Sequence, residues 1–175
     1  MKYRKGQLYF IKNNSFFGKG ISYYNLRTFG RSDCTHIGII TNVNSLDNKV
    51  EIAEATSKGF IFNEYDSRKL NRQILEGKVH IGEVNEELKN VREICKKYEG
   101  IRYGYLDILG IGLSGLIGWK VLGITGKNAI ICSEAVSRVI YDCTKKIDFA
   151  KEYNIKFDAI TPEHIYLSKQ VKIKR

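Results

Sequence analysis

A histidine placed well upstream of a cysteine, each in a setting suited to acyl transfer, is the chemistry this sequence offers. His36 stands in Thr35-His36-Ile37-Gly38-Ile39-Ile40, which alternates like a strand. Cys132 stands in Ala129-Ile130-Ile131-Cys132-Ser133-Glu134-Ala135-Val136, which passes from an apolar stretch into a helical pattern. A thiolate is a strong nucleophile, and an imidazole is the side chain suited to generate and hold it near neutral pH. The pair is the equipment of a cysteine hydrolase. At a helix N-terminus, free amides and the macrodipole would stabilise the Cys132 thiolate, and the same amides can hold an oxyanion. The competing reading is that Cys132 is a buried small hydrophobe, the common fate of a free cysteine.

Glu54 is the candidate third member, accepting a hydrogen bond from the imidazole and fixing its tautomer. Its alternative is a solvated carboxylate at a strand end. Cys34 and His36 in Asp33-Cys34-Thr35-His36 raise a metal question, but two ligands do not make a site, and no metal or organic cofactor is expected. His80, in an alternating polar stretch, and His164, in a first helical turn, read as surface or capping residues. Tyr103, Tyr105 and Tyr166 are candidates to line a pocket. Tyr105, Tyr166 and Ser133, which follows the thiol directly, are taken as substrate-binding candidates.

The elements that must position these residues read as an α+β plan, with an antiparallel sheet packed against helices. Leu8 to Ile11 is a short apolar run after Gly6 and predicts a first strand. Gly18 to Phe29 reads as a loop passing into a short aromatic helix. His36 to Val43 alternates, with His36, Gly38 and Ile40 on one face and Ile37, Ile39 and Thr41 on the other. Ser45-Leu46-Asp47-Asn48 is turn chemistry, so Lys49 to Ala55 returns antiparallel and brings Glu54 near His36. Phe60 to Phe62 and Val79 to Val84 are further strands. Helical spacing predicts helices over Asn85 to Tyr98 and over Glu134 to Cys143, and a final helix capped by Thr161 with Pro162 first.

Composition bounds the partners. A chain of 175 residues, 43% hydrophobic and 27% charged with a single proline, predicts one compact domain over residues 1–175. Four cysteines without CxxC spacing argue against a redox motif or a paired zinc knuckle. Early charges are followed by no apolar h-region, so the mature chain is expected in the cytoplasm. The apolar stretch 106–126 carries an uncharged run only over 108–119, short of the roughly 20 residues a transmembrane helix needs. With its glycines it reads as a buried or flexible insertion lining the site, and no transmembrane segment is expected. The net charge of +10, from 29 Lys and Arg against 19 Asp and Glu, favours an anionic partner or surface, although scattered basic residues are equally an ordinary solvated face. Only the tail from Val171 to Arg175 forms a basic cluster, and no specific nucleic-acid partner is expected.

At these residues the chain resembles a known family: the circularly permuted papain-like amidases of the NlpC cell-wall hydrolase superfamily, the YiiX/YaeF-like group. The matching pieces are Gly6-Gln7-Leu8-Tyr9-Phe10, where that family opens on Gly-Asp; Thr35-His36-Ile37-Gly38-Ile39 for its Ser-His-Val-Gly block; Ala53-Glu54-Ala55 for its Glu-Ala block; and Ile131-Cys132-Ser133-Glu134-Ala135-Val136 for its Cys-Ser-Glu-Leu-Val block. The order His, Glu, Cys is the permuted one. The resemblance implies a permuted papain-like fold with Cys132 as nucleophile, His36 as general base and Glu54 as orienting residue. It implies a substrate among peptides, cell-wall fragments and, as in relatives similar to lecithin retinol acyltransferase, acyl lipids. The expected activity is cysteine amidase or peptidase chemistry through an acyl-enzyme. The rivals are a lipid acyltransferase or thioesterase, and a non-catalytic binding module on the same scaffold.

Overall fold

The alternation in Leu8-Tyr9-Phe10-Ile11 makes a strand with two useful faces, and that strand lies inside the sheet. β1 (Leu8–Ile11) pairs antiparallel with β2 (His36–Asn44) on one side and β5 (Val79–Val84) on the other, so Ile11 lies opposite both His36 and Val79. β3 (Lys49–Thr56) extends the sheet beyond β2, β4 (Gly59–Asp66) beyond β3, and β8 (Val171–Lys174) beyond β5. The order is β4-β3-β2-β1-β5-β8, antiparallel throughout. A short parallel pair, β6 (Arg102–Tyr103) with β7 (Ala129–Ile130), lies apart from it. This computed structural model describes residues 2–12, 16–105 and 129–174.

Period-two alternation sorts the sheet's side chains into two cores. Leu8, Phe10, Ile37, Ile39, Ala53 and Phe60 pack with Ala135, Val136, Val139 and Ile140 of α4 (Cys132–Thr144). On the other face Tyr9, Ile40, Val50, Ile52, Val79 and Ile81 pack with Leu70 of α2 (Ser67–Leu75), capped at its start by Asp66. Each fully buried valine, leucine, isoleucine or phenylalanine among them contributes roughly 1.5–3 kcal/mol from the hydrophobic effect. The α+β plan therefore holds, with helices on both faces of an antiparallel sheet. The expected faces of β2 hold as far as Ile40, where a bulge before Asn42 shifts the register.

Several boundaries differ from expectation for identifiable reasons. α1 (Phe16–Phe29) is helical from Phe16 onward, without the leading loop expected at Gly18. The helix expected over Asn85 to Tyr98 is confined to α3 (Val91–Lys96), because Asn90 sits in the left-handed region at φ 52° and the preceding backbone cannot join a right-handed helix. α2 and α5 (Phe149–Tyr153) were not expected, and the basic tail is the edge strand β8, its Val171 and Ile173 alternating with Lys172 and Lys174. α6 (Pro162–Leu167) begins as expected, with Thr161 as its cap and Pro162 first. The glycine-rich apolar stretch 106–126, expected to line the site, lies outside the described residues. Among those described, no helix is long and apolar enough to cross a membrane.

Candidate active site

Three elements bring the candidate residues together. β2 begins at His36, the hairpin with β3 places Glu54 opposite Gly38, and α4 begins at Cys132. His36 Nε2 lies 2.5 Å from Glu54 Oε2. The Cys132 thiol hydrogen-bonds the same imidazole, and with Nε2 engaged the ring nitrogen left for sulfur is Nδ1. His36 thus bridges a thiol and a carboxylate. Cys132 is 1% exposed and the His36 side chain 16% exposed, so the thiol sits behind the ring that faces solvent.

Electrostatics favour charge on the imidazole. Burial works against the imidazolium, but the Cys132 charge and hydrogen bond, with those of Glu54, outweigh it and raise the His36 pKa from 6.5 to about 10. Burial likewise opposes ionisation of Glu54, yet its bonds to His36, Tyr65 and Asn63 hold its pKa below the usual value. Asn63 Nδ2 donates to Glu54 Oε1 at 2.9 Å and the Tyr65 hydroxyl donates to the same oxygen at 2.5 Å. Both carboxylate oxygens are therefore occupied, which fixes the carboxylate plane and with it the ring of His36.

Asn63 and Tyr65 are absent from the sequence-based site because the strand expected there covers only Phe60 to Phe62. β4 instead continues to Asp66, and its Ile61, Asn63 and Tyr65 share the face of Glu54. Tyr103 is a second contributor. Its hydroxyl hydrogen-bonds Cys132, and burial, then the Cys132 charge and Tyr105, hold the phenol protonated as a donor. Its ring packs on Ile21 and Ile131 beside the thiol.

α4 enters without a side-chain cap at Ile131, so no capping side chain consumes the first-turn amides around Cys132 and Ser133. They are the donors available to a developing oxyanion. A cleft of about 450 Å³ opens over His36 and Glu54. It is lined by His36 and Glu54, by Tyr9, Tyr65, Tyr103 and Tyr105, and by the β3–β4 turn at Thr56 and Ser57.

The three substrate-binding candidates are placed differently from one another. Tyr105 lines the cleft, with its ring 5.0 Å from that of Tyr103. The Ser133 hydroxyl is buried and donates to the Ile160 carbonyl at 2.5 Å. Tyr166 stands edge-on to Phe10 and His80, its hydroxyl 3.4 Å from His80 Nδ1, and is not among the described residues lining the cleft. Cys34 does not share a partner with His36. Its sulfur lies 3.6 Å from Oε2 of the buried Glu163, which also accepts from the Asp33 and Cys34 amides at 2.8 and 3.0 Å. His164 is a capping residue as expected, with Nδ1 accepting from the Thr161 amide at 3.0 Å.

The chain matches no protein-family model, and no curated protein matches it in sequence. In three dimensions it is similar to the crystal structure of the metalloprotein yiiX from Escherichia coli O157:H7, with a TM-score of 0.62 at 16% identity, over 100% of this chain and 98% of that one. The likeness is one of fold: a mixed α+β architecture with an antiparallel sheet packed against helices.

Proposed function

We propose that this protein is a cysteine hydrolase that cleaves an amide bond through Cys132, His36 and Glu54, on a circularly permuted papain-like scaffold. The observation that carries the reading is the bridging position of His36 between a thiol at a helix start and a doubly supported carboxylate. The likeness to yiiX and the order His, Glu, Cys support the scaffold.

In the proposed reaction His36 takes the proton of Cys132, and the sulfur attacks the carbonyl carbon. The oxyanion forms against the amides at the start of α4, with the Tyr103 hydroxyl beside the sulfur. The His36 imidazolium gives its proton to the leaving nitrogen as the C–N bond breaks and a thioester remains. Water then attacks the thioester, His36 accepts its proton, and Cys132 departs from the acid product. An amine is a poor leaving group without that proton, and an imidazole held protonated between Cys132 and Glu54 is placed to supply it.

The structural neighbour is described as a metalloprotein. The side chains here do not fit a metal at this site: Cys34 turns to Glu163 while His36 turns to Cys132 and Glu54. Among the described residues no three His, Cys, Asp or Glu side chains gather to hold an ion. No step is routed through a metal.

Alkylation by iodoacetamide, mapped by mass spectrometry, tests the reading. Cys132 is expected to react ahead of Cys34 and Cys95 at neutral pH, and His36→Ala is expected to slow that reaction about tenfold or more. An inert Cys132, or one indifferent to His36, would leave a binding module as the better account.

A further inference from the structure

The first carboxylate in this chain is Asp33; the residues before it carry seven lysines and arginines and no acid. α1 sets two of those cations on its outer face. Lys19, Tyr23, Leu26 and Arg27 follow the spacing i, i+4, i+7, i+8 and form one stripe, opposite the buried Ile21 and Asn25. Tyr23 is 41% and Leu26 52% exposed. Neither Lys19 nor Arg27 belongs to an ion pair among the described residues, whereas Arg31, just beyond the helix, is tied to Asp33 and Glu163.

The other side of α1 packs beside the candidate site. On the inner side of α1, Ile21 packs on Ile131, the residue before Cys132, and Tyr24 and Tyr103 pack against the same pair. Tyr103 continues ring to ring into the half-exposed Tyr105. The exposed apolar pair Tyr23 and Leu26 is thus flanked by Lys19 and Arg27 on a helix that carries no carboxylate. Leu46 and Leu75 are more exposed, but each adjoins a carboxylate, Asp47 or Glu76.

We propose that the outer face of α1 docks this protein on an anionic phospholipid bilayer. The chemistry fits that surface. Leucine enters the acyl boundary, tyrosine settles at headgroup level, and lysine and arginine keep their charges among lipid phosphates. Each cation near an anionic leaflet strengthens partition by about fivefold. The docking needs no turnover, so it stands or falls apart from the acyl-transfer reading.

Cosedimentation of the whole chain with phosphatidylcholine vesicles, with and without phosphatidylglycerol, tests it. Binding is expected only where phosphatidylglycerol is present, and should weaken as salt rises. The double variant K19E/R27E should lower partition by about thirtyfold or more, and Leu26→Ser should lower it at fixed charge. R68E/R72E, the same change of charge on α2, should leave partition within about twofold. Circular dichroism of each variant checks the fold, and Cys132 alkylation on the same samples reports the thiol and imidazole independently. Equal loss in the α2 variant would reduce the effect to net charge and overturn the proposal. Binding indifferent to phosphatidylglycerol would overturn it too, as would a chain that ignores vesicles but holds an oligonucleotide through Lys19 and Arg27.

Discussion

Gly38 and Glu54 face each other across the β2–β3 ladder, and the missing side chain at Gly38 gives Glu54 its room. A methyl group at Gly38 would fall 2.6 Å from Ile52 Cγ2, 3.1 Å from the Ala53 carbonyl and 3.2 Å from Glu54 Cβ. The first of these is a branched, fully buried side chain and the second is backbone, so neither gives way cheaply. Gly38→Ala is expected to cost about 1–3 kcal/mol in denaturant unfolding and to slow Cys132 alkylation by displacing the carboxylate. Unchanged stability and reactivity would mean the ladder opens more easily than this packing allows.

Glu54 also sets the charge on His36. The imidazole is expected to titrate near 10 in a ring-proton NMR titration, against 6.5 for an ordinary histidine. Glu54→Gln should bring the midpoint down while the Cys132 contact keeps it above the ordinary value. The sign for stability follows from the raised folded value: the contribution is fully present below about 6.5 and is lost as pH climbs toward about 10. A midpoint near 6.5 in the wild type would remove the imidazolium from the proposed mechanism.

The strands that carry His36 and Glu54 were legible because their apolar residues alternate and a turn joins them. Leu8–Ile11 and Val79–Val84 have the expected bounds for the same reason. What stayed hidden was support. Asn63 and Tyr65 lie beyond the strand expected over Phe60 to Phe62, and the feature that places them is a carboxylate on the neighbouring strand, which no local pattern reports. α2 is short, and its apolar face is only the pair Leu70 and Ile74 at helical spacing, too brief a pattern to predict a helix by itself. The tail was read as charge alone, although Val171 and Ile173 alternate with the lysines, since a short edge strand is specified by its partner β5 more than by its own sequence.

Ser133 and Tyr103 both adjoin the thiol, and their substitutions should separate cleanly. Ser133→Ala removes a buried donor to the Ile160 carbonyl and is expected to cost about 1–2 kcal/mol of stability while leaving the alkylation rate of Cys132 unchanged. Tyr103→Phe removes the hydroxyl beside sulfur, keeps the ring on Ile21 and Ile131, and is expected to alter the alkylation rate with little change in thermal unfolding. If Ser133→Ala instead changed reactivity at unchanged stability, Ser133 would return as a substrate-binding residue.

His164 gives the fold a dependence on acid that has no part in the proposed chemistry. The ring is buried between Phe29 and Tyr153, 4.8 Å from each, and Nδ1 accepts from the Thr161 amide at the start of α6. Burial lowers its pKa from 6.5 to about 4, since a proton on Nδ1 would both place charge in an apolar setting and take the acceptor from the cap. The unfolded chain therefore binds the proton more readily than the folded one. Stability is full above about 6.5 and falls by about 3 kcal/mol as pH drops toward 4. Denaturant midpoints measured across that window should show the decline in wild type. His164→Gln, whose side-chain oxygen can still accept at the cap but does not titrate, should show a flatter curve. A decline of equal depth in the variant would assign the acid sensitivity to Glu54 instead, whose pKa its hydrogen bonds hold down.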